Sequence, residues 1–346
     1  MAIATDIISP AINEVKTRFF PVRKNYWLKV GLVSLISSSF GAGSKNSINF
    51  NMPNPLNTIN FPISAAVDFI KKHFIALIGL GGILFFFGII YNIIKHIFSF
   101  IMVDSVISGK CEIISYFNKH TKKGFSAFLF WFLITLGNII FFGLLLLPLI
   151  IPLIGNIGSL SPGLILSLIN VPYLIFFIFV LVLDIIVFLV LGFIYSNFVI
   201  IDMYLKNINA PESFWRMLRL VKKEIFEVFI FLILKIALSI AAGIALFIII
   251  IAFLIILGII FFIALLLGLA IYKLGIALLV AYIIIAGLIG IALIILWLYA
   301  FAVLTSPVPS FFIMYAYLFL TEINKRNKDL FIKKTNAYKT IQNVTQ

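Results

Sequence analysis

In residues 225–267 the charged side chains are Glu227 and Lys235, and nearly everything else is Ile, Leu, Phe, Ala or Val. As one helix this run of about 43 residues would measure about 64 Å at 1.5 Å per residue, twice the roughly 30 Å of a bilayer's hydrocarbon core. Further apolar stretches of spanning length begin near Phe74, Phe125, Pro172 and Ile276. With 63% hydrophobic and 11% charged residues in 346, the chain lacks the polar material to cover such surface in water, so its solvent is lipid. Lipid satisfies no backbone donor or acceptor, which leaves helices as the spanning element. The expected fold class is all-α: a polytopic transmembrane helical bundle.

The organisation follows from what interrupts the apolar runs. Residues 1–26 form an amphipathic N-terminus with neither the basic region nor the compact apolar region of a cleaved signal peptide. Residues 27–43, WLKVGLVSLISSSFGAG, make a short first span ended by Gly41 and Gly43. Residues 44–62, rich in Asn, Ser and Pro, form an outer loop. The run from 225 is too long for one crossing and is expected to break into a crossing at 225–251 and a re-entrant or tilted segment, with Gly258, Gly268 and Gly275 as bends. The count is then about six spans; a second pair of crossings there makes eight the alternative. Residues 322–346 are a basic tail.

The placement of the 26 Lys and Arg orients the spans. Lys16, Arg18, Arg23, Lys24 and Lys29 share one side with Lys95, Lys110, Lys119, Lys122 and Lys123, with Lys206, Arg216, Arg219, Lys222 and Lys223, and with the tail cations. The other side receives Lys45, Lys71, Lys72 and Lys273. The positive-inside rule places both termini in the cytoplasm of a multi-pass cell-membrane protein. The net charge of +14 then answers to topology and anionic lipid rather than to nucleic acid. Cys111, the one cysteine, excludes a disulfide framework and a cysteine-based zinc motif.

Two inner segments match in kind, 100–125 and 198–225. Phe100 and Asp104 align with Phe198 and Asp202; after a two-residue insertion, Glu112, Lys122 and Lys123 align with Glu212, Lys222 and Lys223. With short helices at 63–73 and 163–171 preceding the spans, this gives parallel repeat units at 63–151 and 163–251, and a degraded third at 263–321 in which Pro309 and Phe311 answer to Pro211 and Phe214. Each unit carries short interfacial amphipathic helices.

The segments WLKVGLVSL, FIMVDSVISGKCEIISYFNKHTKKGFSAFLF, IIDMYLKNINAPESFWRMLRLVKK and TSPVPSFFIMYAYLFL carry a resemblance over 27–321. The chain resembles a family of archaeal multi-pass membrane proteins without an assigned activity. More remotely it is similar to the membrane domain that accompanies some bacterial glycerophosphoryl diester phosphodiesterases. The resemblance implies location and architecture, and brings no catalytic or binding residue with it.

Candidate sites are few. In 209–223 Asn209 caps a helix with Glu212 three residues on, and Pro211 fits the first turn. Phe214, Met217, Leu218 and Val221 make an apolar stripe beside Trp215, the pattern of a helix floating at an interface. Arg216, Arg219, Lys222 and Lys223, with Lys119, Lys122 and Lys123 of the first inner segment, are the expected contacts for anionic lipid headgroups. Asp104 and Asp202 close the inner ends of long spans, where pairing with a cation of the same unit is expected and coordination of a headgroup or ion is the alternative. Asp184 and Lys235 lie deepest in apolar sequence; such groups are costly in lipid, and Asn138 is a hydrogen-bond candidate for Asp184. His96, Asp104, Cys111, Glu112 and His120 gather in sequence without a metal-ligand spacing, so neither metal nor cofactor is expected. Ser239 with Gly243 and Ala286 with Gly290 are small-residue pairs suited to helix packing. No catalytic motif is present. The functional expectation is a non-enzymatic scaffold interacting with anionic lipid, itself or a protein partner; the alternative is a transporter or permease-like protein using Asp184 and Lys235.

Overall fold

Apolar runs that must satisfy their own backbone become helices, and their lengths follow the runs. The computed structural model describes residues 2–37, 63–155, 171–272 and 275–344, and its elements there are helical throughout. They are α1 (Ile3–Asp6), α2 (Ile8–Phe19), α3 (Lys24–Ile36), α4 (Ile63–Ser108), α5 (Ile113–Gly155), α6 (Val171–Lys206), α7 (Ala210–Lys223), α8 (Ile225–Tyr272), α9 (Ile276–Thr305) and α10 (Pro307–Val344). The expected loop at 44–62, the end of the first short span and the expected helix at 163–170 lie outside the described residues.

Among the described residues five helices are long and apolar enough to cross a membrane: Lys72–Ser108, Ile113–Pro148, Val171–Lys206, Ile225–Tyr272 and Val280–Thr305. In each, the most apolar 18-residue window is 0% buried inside the chain, as lipid-facing surface would be. The protein is an all-α protein of the membrane. Two expectations change. The run from 225 does not break: α8 is one helix of 48 residues, because glycine costs a helix only about 1 kcal/mol and no proline interrupts it. Gly258 sits mid-helix with open space beside it, whereas Gly275, at φ 136°, precedes α9. The segment 63–73 is not separate either but the first turns of α4, a helix of 46 residues.

The chain divides into two compact units. One comprises Met1–Thr121 and Glu224–Gln346. In it α2 packs on α10, α3 on α4 and α9, and α1 on α8. Its core gathers Ala4, Ala11, Phe19, Phe100, Phe231 and Phe319. The Phe231 ring lies parallel to that of Tyr315, centroids 4.6 Å apart, and 4.5 Å from that of Phe319. The N-terminus therefore does not lie free: the Tyr315 hydroxyl donates to the Ala4 carbonyl at 3.0 Å. The helix α3, of 13 residues, passes α9 at Gly31, where an added Cβ would lie 2.5 Å from Val303 Cγ2 and 2.7 Å from its Cα. By contrast a Cβ on Gly243 or Gly290 would meet open space, so those glycines make no helix contact here.

The other unit is Lys122–Lys223. Near its end α6 takes a π turn, Tyr195–Val199, which widens the helix by one residue. The Tyr195 hydroxyl donates to the Ala127 carbonyl of α5 at 2.9 Å, and its ring stacks on Trp131 at 4.6 Å. Phe198, Met203, Phe214 and Met217 are buried around this turn.

Candidate functional site

Two turns of like construction, one in each unit, gather packed polar groups. Gly109 follows Asp104 by the same count as Asn207 follows Asp202, and both adopt the left-handed backbone, φ 70° and 57°, that ends a helix. A basic helix comes next. Counted from their first residues, Ile113 and Ala210, Lys119 on α5 and Arg216 on α7 hold the same place, and each pairs with its aspartate. This register differs from the one suggested by Glu112 and Glu212: in space Lys119 answers to Arg216, and Lys122 to Arg219. The third expected copy, 263–321, has no aspartate, and α9 ends there without a left-handed residue.

In the first turn Asp104 Oδ2 accepts hydrogen bonds from Lys119 Nζ at 2.8 Å and His120 Nε2 at 2.7 Å. The His120 ring is fully buried and stacks on Phe100. The end of α4, where the helix dipole is negative, is closed from the N-terminal segment. The Tyr26 hydroxyl donates to the Ser105 carbonyl at 3.1 Å, and the Arg18 guanidinium to that of Val106. Burial pushes the Tyr26 phenol up to about 12, against the pull of the Arg18 charge, so the tyrosine stays a donor. Cys111 is buried in this turn, and burial raises its thiol above the ordinary value while Ser105 and Lys29 lower it.

In the second turn Asp202 is fully buried and pairs with the Arg216 guanidinium. Ser213 Oγ lies 3.0 Å from Asp202 Oδ2 and 3.1 Å from the Val199 carbonyl. The start of α7 is anchored from outside the helix, the Ala210 N–H donating to Ser126 Oγ of α5 at 3.3 Å. The expected apolar stripe does not face lipid. Phe214 and Met217 are buried in the protein, with the Phe214 ring 5.0 Å from Phe130, and Leu218 and Val221 are half-buried. The strong amphipathicity of α7 thus serves tertiary packing, because its buried side meets the aromatic cluster around the π turn. What α7 turns outward is Trp215, 64% exposed, with Arg219, Lys222 and Lys223.

The expected headgroup cations therefore separate. Lys119 and Arg216 are held by aspartates, and Lys123 Nζ lies 5.9 Å from the centre of the Tyr204 ring. Lys122, Arg219, Lys222 and Lys223 are exposed. Deep in the spans, Asn138 Nδ2 donates to both carboxylate oxygens of Asp184, at 3.0 and 2.9 Å, and ties α5 to α6. Lys235 is buried in the other unit, with Nζ 5.5 Å from the centre of the Phe312 ring. Asp184 and Lys235 thus each find a neighbour within their own unit.

Some polar contacts were not visible in the sequence. Arg326 bonds Glu227 at 2.9 Å and also Glu224, and Glu227 accepts the Ile3 N–H at 3.0 Å. These partners are 99 to 224 residues apart, and no local pattern announces them. Ser213 had a weak signal: one turn before Arg216, a hydroxyl shares the cation's face. Among the described residues no three His, Cys, Asp or Glu side chains come together as a metal set. A shallow apolar cleft of about 290 Å³ between α8 and α9 is lined by Gly268, Tyr272 and Tyr282 among others, and the Tyr282 hydroxyl is engaged by the Ala264 carbonyl.

A family of unknown function, DUF7544, matches residues 2–330. The chain belongs to that family. No curated protein and no solved structure matches it. The DUF7544 match covers both polar turns and all five candidate spans, and it assigns them no role.

Proposed function

We propose that this DUF7544 protein is a non-enzymatic scaffold of the cell membrane, with both termini in the cytoplasm, that engages anionic lipid or a protein partner through its basic turns. The observation that supports this reading best is the division of labour in α7. One side is locked to Asp202 through Arg216 and Ser213, while the other turns Trp215, Arg219, Lys222 and Lys223 outward between two spans. A buried aspartate consumed by its own cation, in both turns, is the arrangement of a structural lock and not of a reacting group. The likeness of the two turns agrees with parallel duplication.

The test is native mass spectrometry of the full chain extracted from membranes. Anionic lipid retained above zwitterionic lipid, or a co-purifying protein, is expected; a chain that carries neither would refute the reading. Orientation is checked by Lys222→Cys in a Cys111→Ser background, labelled by an impermeant maleimide. Labelling is expected only after permeabilisation. Cys111 itself, being buried, is unsuited to that experiment.

A transporter or permease-like role at Asp184 or Lys235 is the second reading, favoured by the half-buried Asp184–Asn138 pair inside the spans. It requires water at the pair, so Asn138→Cys in the same background would react with a small hydrophilic thiol reagent. Protection of that thiol counts against transport.

A further inference from the structure

The lipid reading above leaves open which of the two basic helices does the gripping, and residue type alone treats them as equals. The geometry does not. Matching α5 to α7 from their first residues, the places of Trp215, Arg219 and Lys222 are taken on α5 by Asn118, Lys122 and Phe125. So at these places α5 keeps one of the two cations and has an asparagine where α7 has its tryptophan. Its other lysines are drawn elsewhere, Lys119 to Asp104 and Lys123 to the Tyr204 ring.

On α7 the three residues are spaced four and then three apart, which puts them on one exposed face of the helix. Along the chain that face lies next to the ends of two candidate spans. It begins just after Lys206, where one candidate span ends, and finishes just before Ile225, where the next begins. Trp215 is 64% exposed although indole is the largest apolar side chain. An exposed tryptophan beside span ends suits the headgroup boundary, where a ring can lie among glycerol and upper acyl groups with its N–H toward water. Arg219 and Lys222 stand a turn or two further along, where a phosphate attached to that glycerol would lie. Glu212, the acidic residue of the same face, is about 10 Å from Arg219 along the axis at 1.5 Å per residue, and it sits at the helix N-terminus, which favours negative charge.

We propose that the outward face of α7, formed by Trp215, Arg219 and Lys222, is a binding site for the phosphate headgroup of an anionic phospholipid, and that Arg216 and Lys119 are no part of it. The proposal rests on the scaffold reading and narrows it to one helix and one class of partner. Arg216 positions the site by fixing α7 against Asp202; Arg219 and Lys222 touch the ligand. Guanidinium suits phosphate because its fork of donors matches two oxygens, while the lysine adds a point charge.

The test uses the full chain in nanodiscs of phosphatidylcholine alone, or of phosphatidylcholine with phosphatidylglycerol at about three to one. Phosphatidylglycerol carried over into detergent is counted by native mass spectrometry. At about fivefold in affinity per cation near an anionic surface, R219Q/K222Q is expected to lose about thirtyfold in retention with its unfolding temperature unchanged. R219K/K222R, which keeps the charge, is expected to restore most of it. W215A lowers retention of both lipids, whereas K122Q/K123Q leaves phosphatidylglycerol in place. Wild-type retention in R219Q/K222Q overturns the proposal. Loss confined to K122Q/K123Q also overturns it, moving the headgroup to α5 while the lipid reading survives. Equal retention of the two lipids by the wild type defeats both.

Discussion

Arg216→Ala separates a lock from a ligand contact. Asp202 is 1% exposed as a side chain and Arg216 is 25% exposed, so truncation leaves a buried carboxylate with the Ser213 hydroxyl beside it and the Lys206 charge acting on it from further off. Removing one partner of a buried pair costs about 3–5 kcal/mol, and the quarter-exposed guanidinium puts this case at about 3 kcal/mol. The matched change Lys119→Ala is much milder. Lys119 is 57% exposed, and Asp104 keeps His120 at 2.7 Å, so the loss is that of a half-exposed pair, about 1 kcal/mol or less. Thermal unfolding in detergent, followed by intrinsic fluorescence, reads the difference. At about 2–4 °C per kcal/mol for a chain of this size, Arg216→Ala falls by about 6–12 °C and Lys119→Ala by no more than about 4 °C. Asp202→Ala combined with Arg216→Ala recovers about half the loss, since no charge is then left buried. Equal shifts for Arg216→Ala and Lys119→Ala, or a double variant no better than Arg216→Ala, would refute the argument that the carboxylate is held against burial by this cation.

Other expectations follow from single contacts. Gly31→Ala places a Cβ against the Val303 backbone, which cannot rotate away, so α3 and α9 must part; a loss of about 1–3 kcal/mol is expected. Gly258→Ala, in open space within α8, is expected to be neutral or slightly stabilising in the same melt. Asn138→Ala leaves the Asp184 carboxylate without its amide donor inside the spans, at a cost of about 1–3 kcal/mol and a lower yield of monodisperse protein; unchanged yield and melting would show that the tie is not needed. At Cys111 the raised thiol pKa makes the folded state hold its proton longer than the unfolded one. Its stabilising contribution is therefore present below the ordinary thiol range and is lost as pH rises through the folded value. Alkylation of the native protein should be slower than after unfolding in SDS, with the inflection of its pH–rate profile displaced upward. Equal rates in both states would contradict the burial.

The span-end aspartates show how far local sequence reaches. Asp104 and Asp202 were identifiable because an acid just before a basic helix has a cation within reach, and Asn138 because a carboxylate deep in apolar sequence needs a donor. Which cation each acid takes was not identifiable: it depends on where the following helix starts, and Ile113 and Ala210 set a register that the matching glutamates obscure. The apolar stripe of α7 shows the opposite limit. Its periodicity is the same whether the face meets lipid or protein, and only the aromatic cluster of Phe130, Trp131 and Tyr195 decides for protein.

By itself the sequence determined that this is an all-α membrane protein with five long spans, since span length and hydropathy are properties of contiguous residues and lipid permits only self-satisfied helices of that length. The tertiary structure alone decided that the N-terminal segment is part of the core, that Gly31 rather than Gly243 or Gly290 is a close crossing, and that Arg326 closes on Glu224 and Glu227. Those are encounters between residues far apart in the chain. Their partners are chosen by how helices pack, and packing leaves no periodic trace in either segment alone.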